Sequence, residues 1–317
     1  MTATTAEPTA SRLAARHSLE AARPRRGEQV VIGALFACAS LSILTTSLIV
    51  LSLVPPTIDF LREVSIREFL TGTRWSPLFA NPRFGVLPLV TGTLVVTACA
   101  LVVCVPFGLG AAVYLSEYAS PWIRKAVKPV LEVLAGIPTV VYGFFALTVV
   151  SPYVQRWWPF GDPPGTFNAL SAGLVMGVMI LPTVASLSED AMSAVPHGLR
   201  EGAYALGGTR REVATKVVVP AALSGIVASF VLAFSRAIGE TMIVLIAAGG
   251  QPNLALNPGE AMQTITAFIG AAGIGDQPTG STGYKTIFAA GSLLFVVTFF
   301  VNLLSIRIVR RYRQAYQ

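Results

Sequence analysis

Residues 87–115 read LPLVTGTLVVTACALVVCVPFGLGAAVYL, with no charged side chain anywhere in the run. As an α-helix rising about 1.5 Å per residue, it outreaches the ~30 Å hydrocarbon core of a bilayer. Lipid offers the backbone no hydrogen bonds, so a spanning segment must be a helix or part of a closed barrel, and this run lacks the two-residue alternation of barrel strands. Working outward, five more apolar runs cover residues 30–54, 130–150, 168–187, 223–248 and 286–306. The expected fold is therefore all-α, a polytopic membrane protein with six transmembrane helices. Composition agrees: 53% of the 317 residues are hydrophobic and 12% charged, against roughly 25% charged in soluble domains. A water-soluble enzyme or binding module is excluded.

Lys and Arg set the expected orientation. Arg12, Arg16, Arg23, Arg25 and Arg26 precede the first run, and Arg124, Lys125 and Lys128 join the second to the third. Arg200, Arg210, Arg211 and Lys216 join the fourth to the fifth, and Arg307, Arg310, Arg311 and Arg313 follow the sixth. The alternate loops are poorer, with Arg62, Arg67, Arg74 and Arg83, then Arg156, then Lys285. The positive-inside rule reads this pattern as both termini cytoplasmic. It divides the chain into a disordered cytoplasmic tail over 1–28, a transmembrane domain over 29–306 with an inner segment at 196–220, and a basic cytoplasmic tail over 307–317.

These topology signals, lying beside anionic lipid, account for the net charge of +7 without nucleic acid. The tail is rich in Ala and Arg and poor in large apolar side chains, a composition that does not fold alone. The first run is longer than the ~7–15 residues of a signal-peptide core and reads as an uncleaved span. Cys38, Cys99 and Cys104 fall inside spans and read as packing thiols without metal-ligand spacing. Trp75, Trp157 and Trp158 read as interfacial anchors. No catalytic centre is expected: Gly275-Asp-Gln-Pro-Thr-Gly280 is followed by Ser281 where a phosphate loop requires Lys, and neither His17 nor His197 has a partner at metal-helix spacing. Glu189 and Asp190, closing the fourth run, read as a surface pair.

The informative residues are the polar ones inside apolar runs. Ser235-Arg-Ala-Ile-Gly-Glu-Thr241 lies in the fifth run, and on a continuous helix Arg236 and Glu240, four apart, share a face. A charge at mid-bilayer costs at least ~2.5–3.5 kcal/mol, so such a pair lines an ion or substrate path or forms a packing salt bridge; both readings stay open. A planar guanidinium keeps its charge when desolvated and matches an oxyanion. This points to an anionic substrate and a pathway built from Arg236, Glu240, Gly239, Ser235 and Thr241. Gly136, Pro138 and Gly143 in the third run either break that span near the path or belong to the ordinary Gly and Pro content of spanning helices.

The inner segment between runs four and five carries strong local instructions. Pro196 suits a first helical turn, Gly207 and Gly208 a helix stop, and Thr209 with Glu212 a capping box opening a second helix. A rigid helix–turn–helix is expected. Its sequence, Glu201-Gly-Ala-x-x-x-Gly207, nine residues, then Val217-x-Val219-Pro220, resembles the EAA motif of ABC-importer permeases, with Gly202 for the first Ala and Val at both aliphatic sites. The resemblance implies a MetI-like permease domain in the plasma (inner) membrane, whose coupling helix docks on an ATPase subunit through Arg200, Glu201, Ala203, Leu206, Gly207 and Thr209.

Within that family the chain resembles the phosphate permeases, PstC-type rather than PstA-type. The likeness rests on Gly136-Ile-Pro-Thr-Val-Val-Tyr-Gly143, Arg236-Ala-Ile-Gly-Glu-Thr-Met242, Phe69-Leu-Thr-Gly-Thr-Arg-Trp-Ser-Pro77 and Phe84-Gly-x-Leu-Pro88, with Ile238 and Met242 deciding between the two types. It implies a PstA-type second permease subunit, two PstB-type ATPase subunits that bind the ATP, and a PstS-type extracytoplasmic phosphate-binding protein. This chain would then hold no cofactor and be no enzyme itself. A permease for sulfate or molybdate and a stand-alone secondary carrier are the alternatives.

Overall fold

The computed structural model describes residues 26–79, 81–159 and 161–312. Most of the expected N-terminal tail and residues 313–317 of the C-terminal one lie outside these residues; within them, helix already begins at Arg26 and runs on to Tyr312. By its contacts the chain divides into two units, residues 1–52 and 53–317. The described part of the first is the opening stretch of helix α1, Arg26–Glu63, along which Val30, Leu35, Phe36, Ile43 and Leu48 are all exposed. A helix that is apolar all round is built for lipid or a protein neighbour.

The second unit centres on α3, Leu87–Tyr118, and α6, Ala169–Ser193, after a short α2, Ile66–Thr71. Asn168 caps α6 by accepting from Ser171 N at 2.7 Å. Glycines let these two helices touch: a Cβ on Gly173 would lie 2.4 Å from the Cys99 Cβ, and one on Gly177 2.7 Å from the Ala100 carbonyl oxygen. In a membrane, where burying apolar surface between helices gains little, such close backbone packing carries the association. Met176, Met179 and Ile180 fill the resulting core without exposure.

The third and fifth expected spans are not continuous. The third divides into α4, Pro121–Gly136, and α5, Thr139–Arg156, whose axes differ by 87°. Pro138 stands at the N-cap of α5 with φ −57° and ψ 134°, and Tyr142 donates across the break to Leu134 O at 2.8 Å. A second bend, of 71°, separates α8, Arg210–Ala221, from α9, Leu223–Ile238. Among the described residues, four helices are long and apolar enough to span, α1, α3, α6 and α12, Thr282–Tyr312; counting each bent pair as one span makes six.

Beyond α9, the expected single run to residue 248 is corrected. The helix stops at Ile238, with Gly239 as its C-cap. A short α10, Met242–Ala247, follows, then a non-helical stretch over residues 249–264, then α11, Ile265–Gly273. That stretch passes carbonyls of Pro258 and Glu260 to the otherwise free N–H groups of Leu170 and Ala169 at the start of α6.

Trp75 is also corrected. It is 3% exposed and meets Phe268 edge-on at 4.9 Å in a cluster with Phe60, Phe69 and Phe84, so it is a core residue. Trp157 is 76% exposed, whereas Trp158 lines a cavity of about 590 Å³ with Asn257 and Glu260.

Candidate functional site

Two polar regions stand out, one at the break after α9 and one where α6 ends. Arg236 occupies the last turn of α9 and is exposed. Its guanidinium reaches, among the described residues, Thr183 Oγ1 at 3.4 Å and Met179 Sδ at 3.6 Å. Among the described residues, no carboxylate lies within ion-pair distance of it.

The expected shared face with Glu240 is therefore overturned. Because the helix ends at Gly239, the four-residue spacing no longer sets geometry. Glu240 is buried, and its Oε1 accepts from Met242 N at 3.0 Å and Ile243 N at 3.3 Å, capping α10. Thr266 on α11 donates to the Glu240 carbonyl at 2.6 Å. Glu240 is engaged at the break, whereas Arg236 stays exposed. Thr183 also lines a cavity of about 300 Å³ with Lys128, Glu132, Ser186 and Leu232.

The neighbouring positions have packing roles. Ser235 donates to Asn302 Oδ1 at 3.0 Å and so ties α9 to α12. Thr241 donates to Gly239 O at 3.4 Å, and its methyl group would meet a Cβ on Gly270 at 3.2 Å. Gly239 is exposed beside Arg236. A Cβ on Gly143 would come within 2.9 Å of the Ile246 Cδ1, so this glycine admits α10 against α5; Gly136 has open space around it.

At the other region, α7, His197–Ala205, is the first arm of the expected helix–turn–helix. Gly207 takes φ +82°, a left-handed turn that suits glycine. The capping box is complete: Thr209 Oγ1 accepts from Glu212 N at 3.3 Å, and Glu212 Oε2 accepts from Thr209 N at 3.2 Å. The Lys216 ammonium, then the Thr209 donors, hold the Glu212 carboxyl down at about 2.

Glu201, Tyr204 and Leu206 are exposed, Leu206 by 91%. Ala203 is partly buried against the apolar cluster that includes Val213 and Val218. Arg200 also turns inward, donating to Met192 O at 2.7 Å, Val195 O at 2.6 Å and Glu117 Oε1 at 3.1 Å.

Glu189 is likewise not on the surface. It has no exposure and forms ion pairs with Arg124 and, at 2.5 Å, with Lys128, while Ser193 donates to it at 2.9 Å. Asp190, which is exposed, takes Lys128 at 3.0 Å. A buried carboxylate is tolerable here because two cations and a hydroxyl surround it. Sequence reasoning missed Glu117, Thr183 and Thr266 and placed Glu189 on the surface. The matched four-residue spacings of Arg124 with Lys128 and Glu189 with Ser193 were the available signal, but the pairing lies between distant segments.

Comparison with known proteins agrees with this architecture. A protein of Bacillus subtilis described as a probable ABC transporter permease protein, YqgH, is 40% identical over 76% of this chain and 77% of its own. A phosphate transport system permease protein, PstC, of Mesorhizobium japonicum is 32% identical over 74% of this chain and 75% of its own. The fold is similar to a chain of the inward-facing MetNI methionine ABC transporter, with a TM-score of 0.51 and 20% identity over 73% of this chain and 95% of that one. Residues 104–314, which hold the bent helices, Arg236 and the capped helix–turn–helix, match the model for the binding-protein-dependent transport system inner membrane component, and the chain belongs to that family.

Proposed function

We propose that this chain is the PstC-type permease subunit of an ATP-driven phosphate importer, lying in the plasma (inner) membrane with both termini cytoplasmic and forming half of the translocation pathway. The observation that carries the reading is Arg236: an exposed guanidinium at a helix break, with its sequence neighbour Glu240 engaged elsewhere. A phosphate anion shedding water needs paired donors in fixed geometry, and a guanidinium supplies them without losing its charge. Thr183, already within 3.4 Å of Arg236, offers a hydroxyl to the same oxyanion. Glu240 keeps the break rigid, so that the anion meets a preformed site.

The exposed Glu201, Tyr204, Leu206 and Gly207 form the face that docks on a PstB-type ATPase, while Ala203 and Thr209 hold that face in shape. ATP is bound and hydrolysed by two such partners. A PstA-type permease completes the pathway, and a PstS-type binding protein delivers phosphate from outside. Alternating access follows when nucleotide draws the ATPases together and moves the docked helices. PstC-named relatives that share about a third of their residues with this chain support phosphate over another cargo.

The test is uptake of labelled phosphate, sulfate and molybdate into vesicles carrying the complete complex, with and without ATP. ATP-dependent entry of phosphate alone is the expected result. Entry of sulfate or molybdate instead moves the assignment to a sister importer. Transport driven by an ion gradient, with no ATPase subunit copurifying, makes the chain a secondary carrier.

A further inference from the structure

Helix α7 buries none of its residues, yet under the function proposed above it must pass a push from a docked ATPase into the membrane part. Its attachments are therefore few enough to name. Besides packing on α8, the helix places Ala203 partly in the cluster beneath it, and Arg200, with a side chain 13% exposed, makes the charged side-chain contacts that join α7 to α3 and α6. Its Nε and Nη2 donate to Glu117 Oε1 at 3.3 and 3.1 Å, Nη2 also to Met192 O at 2.7 Å, and Nη1 to Val195 O at 2.6 Å. Met192 belongs to the last turn of α6, where its carbonyl also accepts from Val195 N at 3.2 Å, and Val195 lies just beyond that turn. Glu117, 4% exposed, sits in the widened π-turn Tyr114–Tyr118 that ends α3, and Ser116 donates to the same oxygen at 3.0 Å. One guanidinium thus bonds to the ends of two spanning helices at once.

We propose that Arg200, through Glu117, is a positioning residue for coupling: it fastens α7 to α3 and α6 so that the three move as one body when the ATPase acts. Arg200 is then part of the transmission inside this subunit, and the docking face is left to its neighbours. A planar, charged fork with several fixed bonds resists shear, which a single apolar contact does not. The inference rests on the ATP-driven reading given above.

The experiment uses the complete complex in vesicles and reads ATP hydrolysis, phosphate uptake and copurification of the ATPase subunits. In Glu117→Gln the ATPase remains bound and hydrolysis continues, while phosphate carried per ATP falls by about tenfold, the worth of one charge-assisted hydrogen bond. Glu117→Asp recovers part of the ratio, and Arg200→Lys, which keeps the charge without the fork, lies between. Unchanged phosphate per ATP in Glu117→Gln overturns the proposal. So does loss of the ATPase from that variant, which would make the pair part of the docking surface.

A readout free of these substitutions places spin labels at the exposed His197 on α7, outside the docking face, and at Tyr114 at the end of α3, in a complex whose other cysteines are replaced. The separation is expected to stay constant through the nucleotide cycle; a change between nucleotide states overturns the rigid link even where the variants do not fold. If the unmodified complex binds ATPase but moves no phosphate, the cargo assignment fails while the label distances still judge the joint.

Discussion

Arg200 and Arg236 are the same residue used in opposite ways. Arg200 is nearly buried and spends its fork on a carboxylate and two helix-end carbonyls. Arg236 is exposed, touches a hydroxyl and a thioether at the edge of hydrogen-bonding distance, and has no carboxylate partner among the described residues. A guanidinium whose three nitrogens are all engaged is a structural joint, and one whose donors are open is a place for a ligand. The region where α6 ends extends the first case with Glu189, Arg124 and Lys128; the break after α9 extends the second, since Glu240 is spent on capping α10.

The contrast can be pressed with substitutions. The largest effect is expected from Arg124→Ala with Lys128→Ala, which strands the fully buried Glu189. Removing the partners of a buried charge costs about 3–5 kcal/mol, to be read as a lower denaturation midpoint of the detergent-solubilised protein. A midpoint equal to the wild type would mean that the ionic joint is ornamental. Arg236→Ala should leave that midpoint in place and lower phosphate uptake by roughly a hundredfold, two charge-assisted hydrogen bonds being lost. Loss of stability in parallel with uptake would erase the distinction between the two arginines.

Smaller effects probe the frame around the docking face. Thr209→Ala removes the N-cap of α8 at a cost of about 1 kcal/mol, and amide exchange over residues 209–213 should rise while exchange in α6 does not. The same amides report on Glu212. Its carboxyl sits at about 2, below the ordinary value of 4.5, because Lys216 and Thr209 favour the charged form. The stabilisation is present above the ordinary value and is lost as pH falls from there through about 2. Glu212→Gln should abolish that acid-dependent loss of protection; an unchanged acid response would mean another group titrates.

The spans were legible because lipid imposes one demand on every residue of a run, and residues 87–115 or 168–187 have no other way to satisfy it. The helix–turn–helix was legible because Gly207, Thr209 and Glu212 act on neighbours a few residues away. What could not be read depends on partners distant in sequence. Nothing near Glu189 announces Arg124, some sixty residues earlier, so it looked like a surface acid. The helix stop at Gly239 depends on Thr266 and α11 holding the Glu240 backbone, and without it the four-residue spacing put Arg236 and Glu240 on one face. At nine residues, α11 is too short to register as a span.

The claim at the centre of this account is that the open fork of Arg236 receives the transported oxyanion. It is tested most directly by ATP-dependent uptake of labelled phosphate in vesicles carrying the complete complex with Arg236→Lys, assembled and bound to ATPase as the wild type is. The account predicts that uptake collapses, because an ammonium keeps the charge but not the paired donors. Uptake at the wild-type rate would contradict it.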